Sequence, residues 1–211
     1  MNETTLPNDT QKSQLQACVA EWPQLKSGVR YHHLVDYHSY HAFGTYNLSP
    51  DEWDIREMIY NFKNNSELTD PISHRQAMQK AIGLLVPMLE KTFGQLLPQL
   101  TLVCIPASSA EKTAARFEEF SSLVTEQTGM ENGYPHVNVA VDGESKHLDT
   151  HQPQYALDED YFKGRQVLLF DDIMATGNSV IRFAAQMADS GAEDVGAVVL
   201  GKTVANKYDK E

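Results

Sequence analysis

Two adjacent carboxylates, Asp171 and Asp172, follow the apolar run Val167-Leu168-Leu169-Phe170 and lead into Ile173-Met174-Ala175-Thr176-Gly177-Asn178-Ser179. Paired carboxylates accept hydrogen bonds from vicinal hydroxyls, so this pair suits the 2- and 3-hydroxyls of a ribose, directly or through a hydrated Mg²⁺. Carboxylates repel phosphate, but the turn after them is suited to it. Gly177 lets the backbone approach closely, successive N–H groups can point inward, and Thr176 and Ser179 add hydroxyl donors. A helix opening near Asn178 adds free N–H groups and the positive end of its dipole. A strand end and a helix cap would explain each half alone; joined, the halves address both ends of a ribose 5-phosphate.

The elements that must hold these residues can be read outward from them. Gln166–Phe170 is a buried strand after the turn Lys163-Gly164-Arg165, and a helix over Val180–Ala188 stops at Ser190-Gly191. Leu100–Ile105, stopped by Pro106, is a second buried strand, and Val137–Val141 and Val195–Leu200 add two more. Ser108 or Ser109 caps a helix running through Val124. Strands alternating with helices predict right-handed crossovers and an α/β fold with a mainly parallel sheet of about five strands flanked by helices. Ligands of such sheets sit at the carboxyl ends of the strands, where Asp171 and Asp172 are expected to emerge.

Before Leu100 the pattern is helical. Ser49-Pro50-Asp51-Glu52 is a helix start, and Ser73–Phe93 carries apolar residues at helical spacing, with Pro87 expected to bend or interrupt it. The division expected is a flexible terminus over 1–15, a helical hood region over 16–98 and a core over 99–211. His32, His33, His38 and His41 lie among Tyr31, Tyr37, Tyr40, Phe43 and Tyr46. Their spacing fits no familiar metal motif, and it leaves open a metal site, a base-stacking hood and simple packing on the core.

The segment Val167–Ser179 closely resembles the phosphoribosyl-pyrophosphate motif of type I phosphoribosyltransferases: four apolar residues, two acids, two apolar residues, then Thr-Thr-Gly and small polar residues. Ala175 stands where many members have Thr, and Asn178 where Gly is common. The resemblance implies that Asp171 and Asp172 hold the ribose hydroxyls, with Mg²⁺ reached through ribose or water, and that Ala175, Thr176, Gly177, Asn178 and Ser179 hold the 5-phosphate. It places the pyrophosphate loop at Pro106, Ala107, Ser108 and Ser109, which also read as an ordinary strand-to-helix turn. It puts a mobile lid over Asp142–Pro153, where Lys146 would neutralise departing pyrophosphate, with Arg116 a second cation; each also reads as a solvated or salt-bridged side chain. A looser similarity, through Tyr60-Asn61-Phe62-Lys63, Val103-Cys104-Ile105-Pro106 and Arg116-Phe117, points to the ComF-type branch associated with DNA uptake. That branch's Arg-Gly-Phe-Asn-Gln stretch and cysteine zinc module are not matched.

Composition narrows the rest. The 211 residues carry 29 acidic against 17 basic side chains, a net charge of -12, which opposes attraction to a nucleic-acid backbone. Cys18 and Cys104 alone build neither a disulfide framework nor a four-cysteine zinc site. No apolar run approaches the ~18 residues that span a bilayer, and the polar start lacks a signal-peptide plan, so a cytoplasmic protein is expected. The sequence therefore predicts transfer of a 5-phosphoribosyl group from 5-phosphoribosyl 1-pyrophosphate to a nucleobase or other nitrogen nucleophile, with a homodimer common in the resembled family. The rivals are a noncatalytic ribose-phosphate-binding module, regulatory or accessory to DNA uptake, and an enzyme of other sugar phosphates.

Overall fold

The computed structural model describes residues 13–39, 48–64, 69–139 and 155–204. Its strands are β1 (Arg30–Tyr37), β2 (Leu100–Cys104), β3 (Glu131–Asn132), β4 (Val137–Val139), β5 (Tyr155–Leu157), β6 (Gln166–Met174) and β7 (Asp194–Thr203). Its helices are α1 (Gln14–Cys18), α2 (Pro50–Phe62), α3 (Pro71–Phe93), α4 (Ala110–Thr128), α5 (Glu159–Phe162) and α6 (Asn178–Asp189). Five strands form one parallel sheet in the order β1-β7-β6-β2-β3. The expected α/β architecture is present.

Helix starts follow their local chemistry. Ser49 and Glu52 form the reciprocal capping box that opens α2, with Pro50 at its first position. Asp70 caps α3 by accepting from Ile72 N (2.9 Å) and Ser73 N (3.0 Å), so the helix opens at Pro71, two residues before the Ser73 start expected from periodicity. Pro87 does not break α3, which runs unbroken to Phe93. Pro87 and Gly83, whose carbonyl loses its partner, both lie on the exposed face, so water can satisfy that group.

Two expectations about strands are corrected. Val137–Val139 is not in the core sheet: the outer edge of β2 is taken by Glu131–Asn132, and Val137–Val139 pairs antiparallel with Tyr155–Leu157 as a separate ribbon. The core sheet is completed instead by β3, beside β2, and by β1, which lies within the region read as a helical hood and pairs with β7 from Arg30↔Gly196 to Tyr37↔Thr203. As an edge strand it is only partly buried, so its Tyr and His content hid the alternation that marks a half-covered strand. His41, Tyr40, Phe43 and Tyr46 lie outside the described residues. Among those described, His32 tilts against Trp22 at 5.4 Å, His33 meets Asp36 at 3.2 Å and His38 meets Glu52 at 2.8 Å. No group of three or more His, Cys, Asp or Glu side chains placed to hold a metal occurs among the described residues.

Alternation along the buried strands divides the core into two layers. Leu100, Leu102, Leu168, Phe170, Val198 and Leu200 face α1 to α4, whereas Val103, Val167, Leu169, Ala197 and Val199 face α5 and α6. In the first layer Phe62 of α2, Phe117 and Phe120 of α4 and Phe170 of β6 form an aromatic cluster. Phe62 meets Phe120 edge-on at 5.1 Å, and Phe120 lies 4.6 Å from Phe170. All four rings are fully buried, and such contacts add to area burial because the positive ring edge meets a negative face.

Phe62→Ala should therefore lower the unfolding free energy by ~3–5 kcal/mol in urea titration. Ile72→Ser, at a side chain 71% exposed, should move it by less than ~0.5 kcal/mol.

Candidate functional site

The chain moves outward from β2 to β3 on one side and from β6 to β7 on the other, so the strand order reverses between β2 and β6. In a parallel sheet this reversal opens a crevice at the carboxyl ends of the two strands, because their following connections depart to opposite faces. Strand β2 stops at Cys104, and the last bond across the pair is Ile105 N to the Phe170 carbonyl at 2.8 Å. Strand β6 continues to Met174, held only by β7 through Asp171↔Val199, Ile173↔Gly201 and Met174↔Lys202. The two aspartates thus lie within the strand, on a stretch whose β2 side is open.

Successive strand residues face opposite ways, and the two carboxylates have different surroundings. Asp172, 4% exposed, sits above Phe170 and receives Arg116 Nη1 on Oδ2 at 2.6 Å, while Lys63 Nζ lies 3.9 Å from Oδ1. Arg116 Nε also donates to the Lys63 carbonyl at 3.1 Å, tying the end of α2 to α4. Asp171 lines a cavity of about 180 Å³ with Lys63 and the turn 173–180. Its Oδ1 accepts from Asp172 N at 2.9 Å. Burial, and then the neighbouring Asp172 charge, push the Asp171 carboxyl up to about 8, against weaker opposing pulls from its backbone hydrogen bond, Lys63 and Arg116.

The turn after β6 is shaped for close backbone approach. Gly177 has φ +81°, and a Cβ there would meet Leu25 Cδ2 at 2.8 Å. Leu25 does not line the cavity, so a larger residue would act by deforming the turn rather than by filling the space a phosphate would use. Gly177 caps α6 without a side-chain hydrogen bond. The opening residues of α6, Asn178, Ser179 and Val180, line the cavity beside Ala175 and Thr176. First-turn N–H groups lacking an intrahelical acceptor favour an anion there.

A second cavity, about 230 Å³, lies on the other side of Ser179, between Ile105–Ser108 and the residues Tyr155, Ser179, Arg182 and Gln186. Pro106, Ala107 and Ser108 therefore face a cavity, whereas Ser109 is used as the cap of α4, accepting from Lys112 N at 3.2 Å. Ala107 N–H is taken by Thr113 Oγ1 at 3.0 Å, which fixes the loop. Arg116 is directed to Asp172 and is not among the residues lining this cavity. Lys146 lies outside the described residues. Lys63, although it ends the stretch Tyr60-Asn61-Phe62-Lys63, and Arg182 received no role from the sequence; only folding brings the end of α2 and the second turn of α6 to these cavities. Buried Cys104 is no nucleophile, because burial and the Asp171 charge hold its thiol protonated.

Among the described residues a divalent ion finds one open carboxylate here, Asp171, since Asp172 is occupied by Arg116. Mg²⁺ fits only as a cation carried mainly by oxygens of a bound phosphate ester, with Asp171 reached directly or through water.

Two measurements test this electrostatic arrangement. Arg116→Met should cost ~3–5 kcal/mol, because it strands a buried carboxylate, and Asp172→Asn on the same background should recover a large part of the loss. The Asp171 carboxyl binds a proton more tightly folded than unfolded, so its contribution to stability is present at low pH. That contribution is lost as pH rises from the ordinary carboxylate range toward about 8. Asp171→Asn removes it, and the stability of this variant relative to the native chain should rise between pH 4 and pH 8 in urea unfolding; a pH-independent difference would show Asp171 already ionised.

Residues 90–211, more than half of the chain, match the family profile described as phosphoribosyl transferase domain. No curated protein matches the sequence. Among solved structures the chain is similar to a hypoxanthine-guanine phosphoribosyltransferase from Bacillus anthracis strain Ames Ancestor, at 10% identity and a TM-score of 0.41, over 62% of this chain and 72% of that one. It is similar to a purine phosphoribosyltransferase from Pyrococcus horikoshii Ot3 at 13% identity and a TM-score of 0.37, covering 59% and 71%. For phosphoribosylpyrophosphate synthetase from Mycobacterium smegmatis the values are 16% and 0.38, and 58% of this chain spans 33% of the synthetase.

Proposed function

Because the chain belongs to the phosphoribosyl transferase domain family, we propose that it binds 5-phosphoribosyl 1-pyrophosphate and transfers the 5-phosphoribosyl group to a nitrogen nucleophile. The observation that carries this reading is the continuity of β6, Gly177 and α6, which delivers Asp171 and the turn 173–180 into one cavity at the switch point. In this reading the C1–O bond to pyrophosphate breaks, the C1–N bond forms, and the nucleophile's proton leaves to solvent.

Each residue then has a task that follows from its chemistry. Ala175–Ser179 cradle the 5-phosphate with backbone N–H groups and the Thr176 and Ser179 hydroxyls, and the α6 dipole adds to the attraction. Ala175 brings no hydroxyl, so the backbone carries more of the contact. Asp171 accepts from a ribose hydroxyl and lies where positive charge develops at the anomeric carbon. Lys63 balances it on the cavity wall. Mg²⁺, when bound, screens the pyrophosphate charge. Pro106–Ser108 border the pyrophosphate end. No helix among the described residues is long and apolar enough to cross a membrane, and the substrate we propose is a small soluble molecule.

One observation favours the reading without turnover. Asp172 is paired with Arg116 and only Asp171 faces the cavity, so the ribose has one carboxylate where the family motif suggests two. A site that binds ribose phosphate for regulation, or for an accessory role of the ComF type, requires no more than this.

Isothermal titration separates the two. A transferase should bind 5-phosphoribosyl 1-pyrophosphate more tightly than ribose 5-phosphate, in a Mg²⁺-dependent manner, and release pyrophosphate with a nucleobase acceptor. Asp171→Asn should weaken ribose 5-phosphate binding by ~10-fold, the equivalent of one hydrogen bond. Equal affinity for both sugars without pyrophosphate release would leave the binding module; binding of neither would refute the site.

A further inference from the structure

The turn that carries Gly177 is backed from outside the cavity by the segment before β1. Gly177 opens α6 with no side chain to bond the first-turn N–H groups, which leaves those groups free for a ligand. It also leaves the turn without the side-chain bond that fixes an ordinary helix start. Leu25 stands in that place. Its Cδ2 and Cδ1 atoms lie 2.8 and 3.3 Å from where a Gly177 Cβ would be, beside Met174 Sδ at 3.5 Å, so the isobutyl group fills the space a side chain at 177 would take. Leu25 is partly buried, packs on the core layer that contains Met174 and Val180, and is not among the residues lining the cavity.

Leu25 is itself held on a closed turn. Leu25 N donates to the Val29 carbonyl and Gly28 N to the Leu25 carbonyl, both at 2.9 Å. Gln24 Nε2 donates to the Gly28 carbonyl at 2.7 Å, and Gly28 takes φ +93°, a conformation that disfavours any residue with a Cβ. Tyr31 N donates to the Pro23 carbonyl at 2.9 Å and Arg30 Nη1 to the Trp22 carbonyl at 2.8 Å, which fastens the turn to the start of β1. Strand β1 is bonded to β7, and β7 to β6. The strand that delivers Gly177 is thus joined across two strands to the residue that backs Gly177, and the apolar contact closes the ring. Leu25 stands well before residues 90–211, so this support comes from outside the matched domain.

Resting on the donor-site reading above, we infer that Leu25 is a positioning residue for the 5-phosphate, holding the Gly177 turn in the conformation that aims its backbone N–H groups at the anion. Backbone donors have no rotamers with which to adjust; their directions are set by φ and ψ, and a small displacement of the turn moves all of them together. Removing the isobutyl group opens a void behind the turn into which it can relax.

The test titrates ribose 5-phosphate and inorganic phosphate into the full chain and into Leu25→Ala, Leu25→Val, Leu25→Met, Gly177→Ala and the double variant Leu25→Ala with Gly177→Ala, with urea midpoints to verify folding. Leu25→Ala should weaken both ligands by the same ~10-fold, because the support acts on the phosphate turn alone. Leu25→Val should lose less, and Leu25→Met should stay within ~2-fold of the native chain. Gly177→Ala should weaken ribose 5-phosphate by ~10-fold by itself, and the loss in the double variant should fall short of the product of the two single losses by ~5-fold or more, since both act on one contact. Unchanged affinity in the folded Leu25 variants, independent losses in the double variant, or a loss confined to ribose 5-phosphate would overturn the role of Leu25 and leave the donor site standing. Failure of the native chain to bind either ligand would remove the donor site and this inference together.

Discussion

The burial of the Asp172 carboxylate against Arg116, on top of four phenylalanines, is the constraint around which this site is organised. Each partner of that small electrostatic network follows or precedes a ring of the cluster: Lys63 follows Phe62, Arg116 precedes Phe117, and Asp171 and Asp172 follow Phe170. Packing the rings fixes α2, α4 and β6 against one another. The charged residues at their edges are thereby placed within a few ångströms without any loop having to order them.

The pairing also divides labour between two residues that look equivalent. A buried ion pair contributes little net stability but is costly to break, so Asp172 and Arg116 hold the geometry of α4 on β6. Asp171, on the opposite side of the strand, is left facing the cavity with a carboxyl that prefers its proton. In the reading proposed above, a cation arriving there competes with that proton.

The sheet topology supplies the remaining order. Because β6 outruns β2 by several residues and remains bonded to β7, the carboxylates and the turn at Gly177 sit on a rigid wall rather than on a free loop. The cap of α4 by Ser109 and the Thr113 bond to Ala107 do the same for the opposite wall. The first wall is set by backbone hydrogen bonding within the sheet, the second by two side-chain hydroxyls that accept from backbone N–H groups.

Much of this was legible in the sequence for a local reason. Four apolar residues, two acids and a glycine turn specify strand, strand end and helix start within one contiguous segment, as the capping box at Ser49–Glu52 specifies α2. The sequence alone determined the class of fold and the strand–turn–helix segment that lines the cavity at the switch point, because these depend on neighbours within a few residues. Tertiary structure alone decided that β1 is an edge strand, that Val137–Val139 lies outside the core sheet, and that Arg116 belongs to Asp172. It also decided that Lys63 and Arg182 border the cavities, and that one aspartate of two is open. Those outcomes depend on which surfaces meet between segments distant in the chain, more than fifty residues apart for Arg116 and its partners, and long-range burial and charge pairing leave no local pattern from which they can be read.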